Sequence, residues 1–400
     1  MTNEAMAAPA HLATGRTRQI LTAGAFFTFF VFGFVDNLKG PTLPALLRDL
    51  DFSYSRGGTM LLGAYFGFLI ATLVAGVLGD RLGNKRILFA AGVLLTVGIF
   101  LFSRSSAFGM LTLAMGVTGL GLGAIEVGGN ALIVELYSTR RARFLNLLAV
   151  FHGIGSLVVP LYAAQLLVRD FSWRQVYTFA LVLTVALALF FLLVRYPRAE
   201  GAGTGGLNLA AVRSAGFTPR MLWYYLLIVV YVGAELGIAA WIVEFMQQVK
   251  GMAVGPSSLY LSLFFAAIMV GRLVGSFVVD RVGHLRIMLV AAVGSVLFLS
   301  VGIYGPPALA VFVPLTGIFF SIVFPTTTAA VSEEHTVNTG AILGILFAAG
   351  GLGGALGPWL IGVANDLVGV QNGFGLSILY CVIMGVALLD LRRDGVPETQ

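Results

Sequence analysis

Charge is what this chain has least of. Of 400 residues only 10% are charged and only four are histidine, against roughly a quarter charged in a soluble domain. With 58% hydrophobic residues and a mean hydropathy of +0.95, most of the chain must lie in lipid. The single cysteine, Cys381, excludes an internal disulfide and a cysteine-based metal centre. No G-x-x-x-x-G-K-[ST] loop is present, so ATP does not act directly, and no H-E-x-x-H or His/Cys cluster offers a metal site. Gly121-Leu122-Gly123 lies inside an apolar run rather than after a strand, which removes the dinucleotide-loop reading. No cofactor, no metal and no enzyme chemistry are expected. The net charge of +6 is scattered over short loops, which fits membrane topology better than a nucleic-acid partner. The opening residues, MTNEAMAAPAHLATGRTRQ, lack an apolar core flanked by a cleavage site, so no signal peptide is expected.

What the chain does have is apolar runs of spanning length. Twelve are predicted, near 20–46, 57–79, 86–104, 107–136, 144–168, 174–195, 220–248, 256–279, 285–304, 307–331, 339–363 and 372–391. The close pair 285–304 and 307–331 is divided by Gly305-Pro306-Pro307. If the N-terminus is cytoplasmic, 16 Lys and Arg fall on that side and seven on the other, with Arg272 inside a span. Both termini are therefore expected inside. A Gly-, Ala- and Ser-rich stretch splits the spans six and six. The predicted organisation is a cytoplasmic tail (1–19), a six-helix bundle (20–195), a cytoplasmic linker (196–219), a second six-helix bundle (220–391) and a tail (392–400).

An internal repeat supports that division. GVLGDRLGNKRIL, from Gly76, returns as SFVVDRVGHLRIM, from Ser276, 200 residues later. Asp80, Arg81, Gly83, Arg86 and Ile87 recur as Asp280, Arg281, Gly283, Arg286 and Ile287. Pro160 and Pro358 are 198 apart. The acids Asp36 and Glu235, each deep in an apolar run, are 199 apart, and Glu126 is a third. Placing one ionised carboxylate at mid-bilayer costs on the order of 2.5–3.5 kcal/mol. Such residues face a protected cavity, hold a proton or bind something.

The run Gly76, Leu78, Asp80, Arg81, Gly83, Lys85, Arg86 between the second and third spans resembles the loop motif of the major facilitator superfamily. The resemblance implies an all-α membrane fold of two pseudo-symmetric six-helix bundles. It also implies gating roles for Gly76, Asp80, Arg81, Gly83 and Arg86 and for their copies Asp280, Arg281, Gly283 and Arg286. A tight, positive-inside hairpin is the alternative reading of the same residues. Phe34-Val35-Asp36-Asn37, Ile125-Glu126-Val127-Gly128-Gly129-Asn130 and Tyr231-Val232-Gly233-Ala234-Glu235 resemble landmarks of the fucose/galactose/glucose:proton symporter family. That family implies a proton-coupled sugar symporter in a bacterial inner membrane, acting as a monomer on a hexose. The fourth span departs from the family's Glu-Thr-Ala-Ala-Asn-Pro pattern, with Val127-Gly128-Gly129 in the middle and Ala131 for the proline. The rival is a proton-driven exporter of drugs or lipophilic cations, and sodium is the alternative coupling ion. The fourth span lacks the Arg that such exporters usually show.

The individual residues carry these expectations. Glu126 and Asn130, four apart, share a helix face, and a carboxyl beside an amide can hold a proton and bind a hydroxylated solute. A polar contact between helices is the plainer alternative. Proton coupling is assigned to Glu126, Asp36 and His152, a mid-span histidine whose plainer role is a ring satisfied by a carbonyl. Asp36 becomes structural if it pairs with Lys39. Substrate contacts are assigned to Asp36, Asn37, Glu126, Asn130, Tyr231, Glu235 and Trp241. Trp241 lies about 120° around the helix from Glu235, so it reaches the same cavity only if the helix unwinds near Gly237. Arg272 reads as structural, and an anionic substrate is disfavoured because only Lys39 and Arg272 place a cation well inside a span.

Overall fold

The structure, a computed structural model, describes residues 15–137, 140–196, 216–335 and 339–393, without the side chains of Asp80 and Asp280 among others. The predicted tail at 1–19, the linker at 196–219 and the tail at 392–400 lie largely outside the described residues. Among the described residues the chain is helical with no strand, and eleven helices are long and apolar enough to cross a membrane. A twelfth, Leu376–Arg393, carries Asp390, Arg392 and Arg393, charges suited to the membrane surface rather than its core.

The first span is two helices, Gly15–Asn37 and Lys39–Leu50, broken at Leu38. Pro41 explains the break: it has no N–H to give to the carbonyl four residues back, and its ring crowds that carbonyl. The following spans are Tyr54–Leu82, Asn84–Arg104, Phe108–Leu136, Arg141–Leu167 and Trp173–Leu193. The second half begins with Pro219–Gln248, Val254–Val282 and His284–Tyr304. Its tenth span is broken by Pro306, Pro307 and Pro314 into a 3-10 turn, a short helix and Gly317–Glu334. The eleventh, Thr339–Phe374, outruns the predicted 339–363 by more than two turns and breaks only at Gly369.

Packing repeats with the sequence. Spans 2 and 4, 1 and 5, 3 and 4, and 3 and 6 pack together in the first half, as do 8 and 10, 7 and 11, 9 and 10, and 9 and 12 in the second. The halves meet through spans 2 and 11 and through spans 5 and 8, each pair the image of the other. Spans 2 and 4 touch backbone to backbone: a Cβ on Gly119 would lie 1.8 Å from the Ala64 carbonyl oxygen. Small residues are what permit that approach.

The repeat is also written in dihedral angles. Gly83 has φ 85° and ψ 146°, and Gly283 has φ 88° and ψ 148°. Each ends one helix and starts the next, in a region of backbone space that is essentially reserved for glycine. Glu135 and Glu334, 199 apart, take matching positions near the same end of the fold. Glu135 accepts from Asn84 and Tyr196, and Glu334 accepts from Arg220 at 2.7 and 2.9 Å and from Tyr224 at 2.7 Å.

Gly83→Ala should cost about 1–3 kcal/mol through backbone strain alone, since a Cβ there meets nothing within 4 Å. Gly76→Ala, within a helix and equally unobstructed, should cost nothing. Thermal unfolding of both variants in detergent separates the two effects; equal midpoints would remove the strain argument.

Candidate functional site

At the Asp51 end, the halves are clasped. Asp366 of the eleventh span accepts from the backbone N–H groups of Tyr54 and Ser55 at 2.9 and 2.7 Å. Its carboxylate thus serves the N-terminus of a helix in the other half, where the helix dipole favours negative charge. The Tyr54 hydroxyl donates to Glu244 at 3.0 Å, and Arg48 donates to Gln247 at 3.1 Å. Arg48 also lies 3.9 Å from the second Glu244 oxygen. Glycines close the seam: a Cβ on Gly362 would lie 2.6 Å from the Tyr54 carbonyl oxygen. Nearer mid-depth, Ser262 donates to the Leu157 carbonyl at 3.0 Å. The Glu135 and Glu334 clusters at the opposite end each stay within one half.

The central groups begin with Asp36, which the structure pairs with Lys39 at 2.6 Å across the break in the first span. Lys39 is buried and Asp36 partly so, and Lys39 also donates to the Tyr65 hydroxyl at 3.0 Å. Tyr65 belongs to the second span and stands within Coulombic range of both Asp36 and Glu235. Glu235 is half-buried, and the buried Tyr231 hydroxyl one turn away engages it. Arg272, exposed on the eighth span, is within Coulombic range of Glu235, Tyr231 and His152. His152 sits half-buried with its ring edge-on to Phe32 at 4.7 Å, and Asp36 acts on it electrostatically.

Glu126 and Asn130 form a separate pair, with the Asn130 amide donating to the Glu126 carboxylate at 3.0 Å and to its carbonyl at 2.7 Å. On the fourth span, Gly123 faces the second span at Phe68, and Gly129 faces the first at Phe29. Glu126 lies between those two faces of its helix, turned away from Leu88 of the third span, which Gly128 meets. Unlike Asp36, it has no basic residue beside it among the described residues.

Two expected substrate residues are committed elsewhere. Asn37 donates to Ser156 at 2.9 Å and to Gly33 at 3.0 Å, joining the first span to the fifth. Trp241 is fully buried and donates to the Pro358 carbonyl at 2.8 Å, edge-on to Tyr54. Its helix runs unbroken through Gly237, so the unwinding needed to present it beside Glu235 does not occur. Trp241 belongs to the clasp. Of the motif residues, Arg81, Arg86, Arg281 and Arg286 are exposed at the Gly83 end. Asp80 and Asp280 lie on helices, but their side chains fall outside the described set.

Sequence reasoning missed the clasp and one central residue, Tyr65. Glu244, in Trp241-Ile242-Val243-Glu244-Phe245-Met246, is only 3% exposed. That makes it a fourth carboxylate in an apolar run, and the same rule that singled out the other three applied to it. Asp366 and Tyr65 carried no comparable signal, because their importance lies in what they touch across the chain.

A family model of the Major Facilitator Superfamily matches residues 25–305 and 257–400. The chain belongs to the Major Facilitator Superfamily. A glucose/galactose transporter of Brucella abortus is 24% identical over 369 residues, covering 88% of this chain and 89% of the relative. Among solved structures, the E. coli fucose:proton symporter FucP superposes with a TM-score of 0.62 at 18% identity, covering 94% of this chain and 99% of the other. The nucleoside transporter NupG superposes with a TM-score of 0.76 at 17% identity, covering 94% and 98%. At these identities the two structures establish the fold. As a member of this superfamily the protein is a membrane transporter, and its two bundles are the halves of the major facilitator fold.

Two outcomes are expected from this geometry. Asp36→Asn leaves Lys39 buried and unpaired and should destabilise by about 3–5 kcal/mol, whereas Asp36→Asn with Lys39→Met should recover most of that loss. Thermal melts of the three proteins decide it, and an unrescued double variant would mean the pair is not the cause. For the clasp, a thiol placed at Ser262, with Cys381→Ser as background, should react with maleimide several-fold faster once Asp366→Ala is added. Unchanged labelling would mean that Asp366 does not hold the halves together.

Proposed function

We propose that the protein is a secondary active transporter that moves a small polar solute, a sugar, by proton-coupled symport with alternating access. The observation that carries this reading is the Glu126–Asn130 pair: a carboxyl in a membrane helix with an amide at 3.0 Å and no basic partner beside it. Asp36, by contrast, already has a cation beside it, Lys39 at 2.6 Å. Coupling follows if proton and solute each favour the other's binding. The Brucella relative is named for glucose and galactose and the E. coli structure for fucose and protons, which supports a sugar and a proton here.

In this reading Glu126 carries the proton, with His152 as a further candidate, Asp36 is held by its ion pair with Lys39, and Asn130, Glu235 and Tyr231 meet solute hydroxyls. The halves comprise residues 20–195 and 220–391, with both termini cytoplasmic and the chain in a bacterial inner membrane as a monomer. The Asp51 end then faces outward, and the clasped form admits solute from the cytoplasm. The exposed arginines of the 83 and 283 turns line the cytoplasmic gate, and the clasp of Asp366, Tyr54 and Glu244 is its outer counterpart. A nucleoside shares the hydroxylated ring of a sugar and belongs in any test panel, given the fold shared with NupG.

Proteoliposome uptake tests the coupling. Glu126→Gln should abolish accumulation driven by a proton gradient while leaving solute exchange within about two-fold of the parent. Unchanged accumulation would overturn the assignment, and accumulation that follows a sodium gradient would replace the proton. A thermal-shift panel of hexoses, nucleosides and lipophilic cations tests the cargo; stabilisation by the cations alone would favour export of drugs instead.

A further inference from the structure

Arg272 is a charged group inside a span that neither the architecture nor the coupling step uses. It lies in the eighth span, 18 residues beyond the start of the helix at Val254 and so about 27 Å along it. One turn earlier Met269 packs on Gly153 of the fifth span, and two turns before that Ser262 bonds to Leu157 of the same span. That face of the helix looks across at the first half. Below these contacts Arg272 is exposed, within Coulombic range of His152 on one half and of Glu235 and Tyr231 on the other. Its head therefore stands between the halves rather than toward lipid.

No hydrogen bond or ion pair holds the guanidinium among the described residues, and Glu235 acts on it without coming into contact. An unspent arginine inside a membrane protein is costly, and such residues mark substrate pathways. The repeat gives the same indication: 200 residues earlier stands Thr72, so the fold does not need a cation at this depth. One turn apart on the seventh span, the Tyr231 hydroxyl and Glu235 engage each other, and neither bonds to the guanidinium. A guanidinium offers paired donors whose spacing matches the two oxygens of a carboxylate. Glu235 and Tyr231 remain to meet hydroxyls.

We propose that Arg272 is a specificity-determining residue that binds a carboxylate on the solute, so that the transported class is a polyhydroxylated acid such as a hexuronate. The proposal rests on the reading of this cavity as a sugar site and names its substrate class. It reverses the expectation against an anion, because Lys39 is spent on Asp36 whereas Arg272 is not.

Thermal shift and competition of solute counterflow test it with four probes: glucose, glucuronate, galactose and galacturonate, with acetate as a simple-anion control. In the parent protein each hexuronate should compete at a concentration at least ten-fold lower than the matching hexose, and acetate should not compete. Arg272→Gln should erase that preference while hexose binding stays within about two-fold, which also shows the variant is folded. Arg272→Lys, which keeps the charge but loses the paired donors, should retain part of it. A parent that prefers the neutral hexose, or a preference unchanged in both variants, overturns the proposal and leaves the sugar reading standing. Binding of neither class overturns both.

Discussion

Lipid cannot solvate a charge, and nearly every feature of this protein's interior answers to that constraint. Asp36 meets Lys39, and Lys39 meets Tyr65, so that the break in the first span is bound by a compact ionic cluster. Glu244 is almost wholly buried, yet Tyr54 from the opposite half donates to it. Arg81, Arg86, Arg281 and Arg286 stand at the turns where helices leave the membrane. Among the described residues Glu126 is the exception, with an amide rather than a cation beside it.

The twofold repeat separates architecture from chemistry. Positions that recur carry the frame: Gly83 and Gly283 hold nearly identical dihedral angles, and Glu135 and Glu334 each gather polar side chains near the same end. The acids Asp36 and Glu235 recur too, but their surroundings do not, because Lys39 has Ile238 as its counterpart at the same offset. Glu126 falls opposite Pro325, and Arg272 opposite Thr72. A duplicated fold needs the same glycines twice, whereas binding one asymmetric solute requires the halves to differ. The breaks in the repeat are therefore where a solute would be read.

The clasp joins the halves through modest contacts. Two N–H groups on one carboxylate, a tyrosine on another and one arginine on a glutamine join the halves at the Asp51 end. Each is a hydrogen bond that water can replace, so opening costs little for each contact. The close glycine seam around Gly362 adds shape, since the halves fit there only because no side chain intervenes.

Several things were determined by the sequence alone. Hydropathy and length set the spans, the 200-residue repeat set the two halves, and carboxylates in apolar runs marked Asp36, Glu126 and Glu235, because lipid penalises polar groups wherever the chain folds. The Glu126–Asn130 contact was legible too, since four residues along a helix is one turn. Only the tertiary structure decided what those groups face. Trp241 and Asn37 passed from candidate solute contacts to the seams between helices, and Glu244, Asp366 and Tyr65 emerged as bridges between segments far apart in the chain. The physical reason is one of range: membrane insertion acts on each segment by itself, whereas a partner for a buried charge can come from hundreds of residues away.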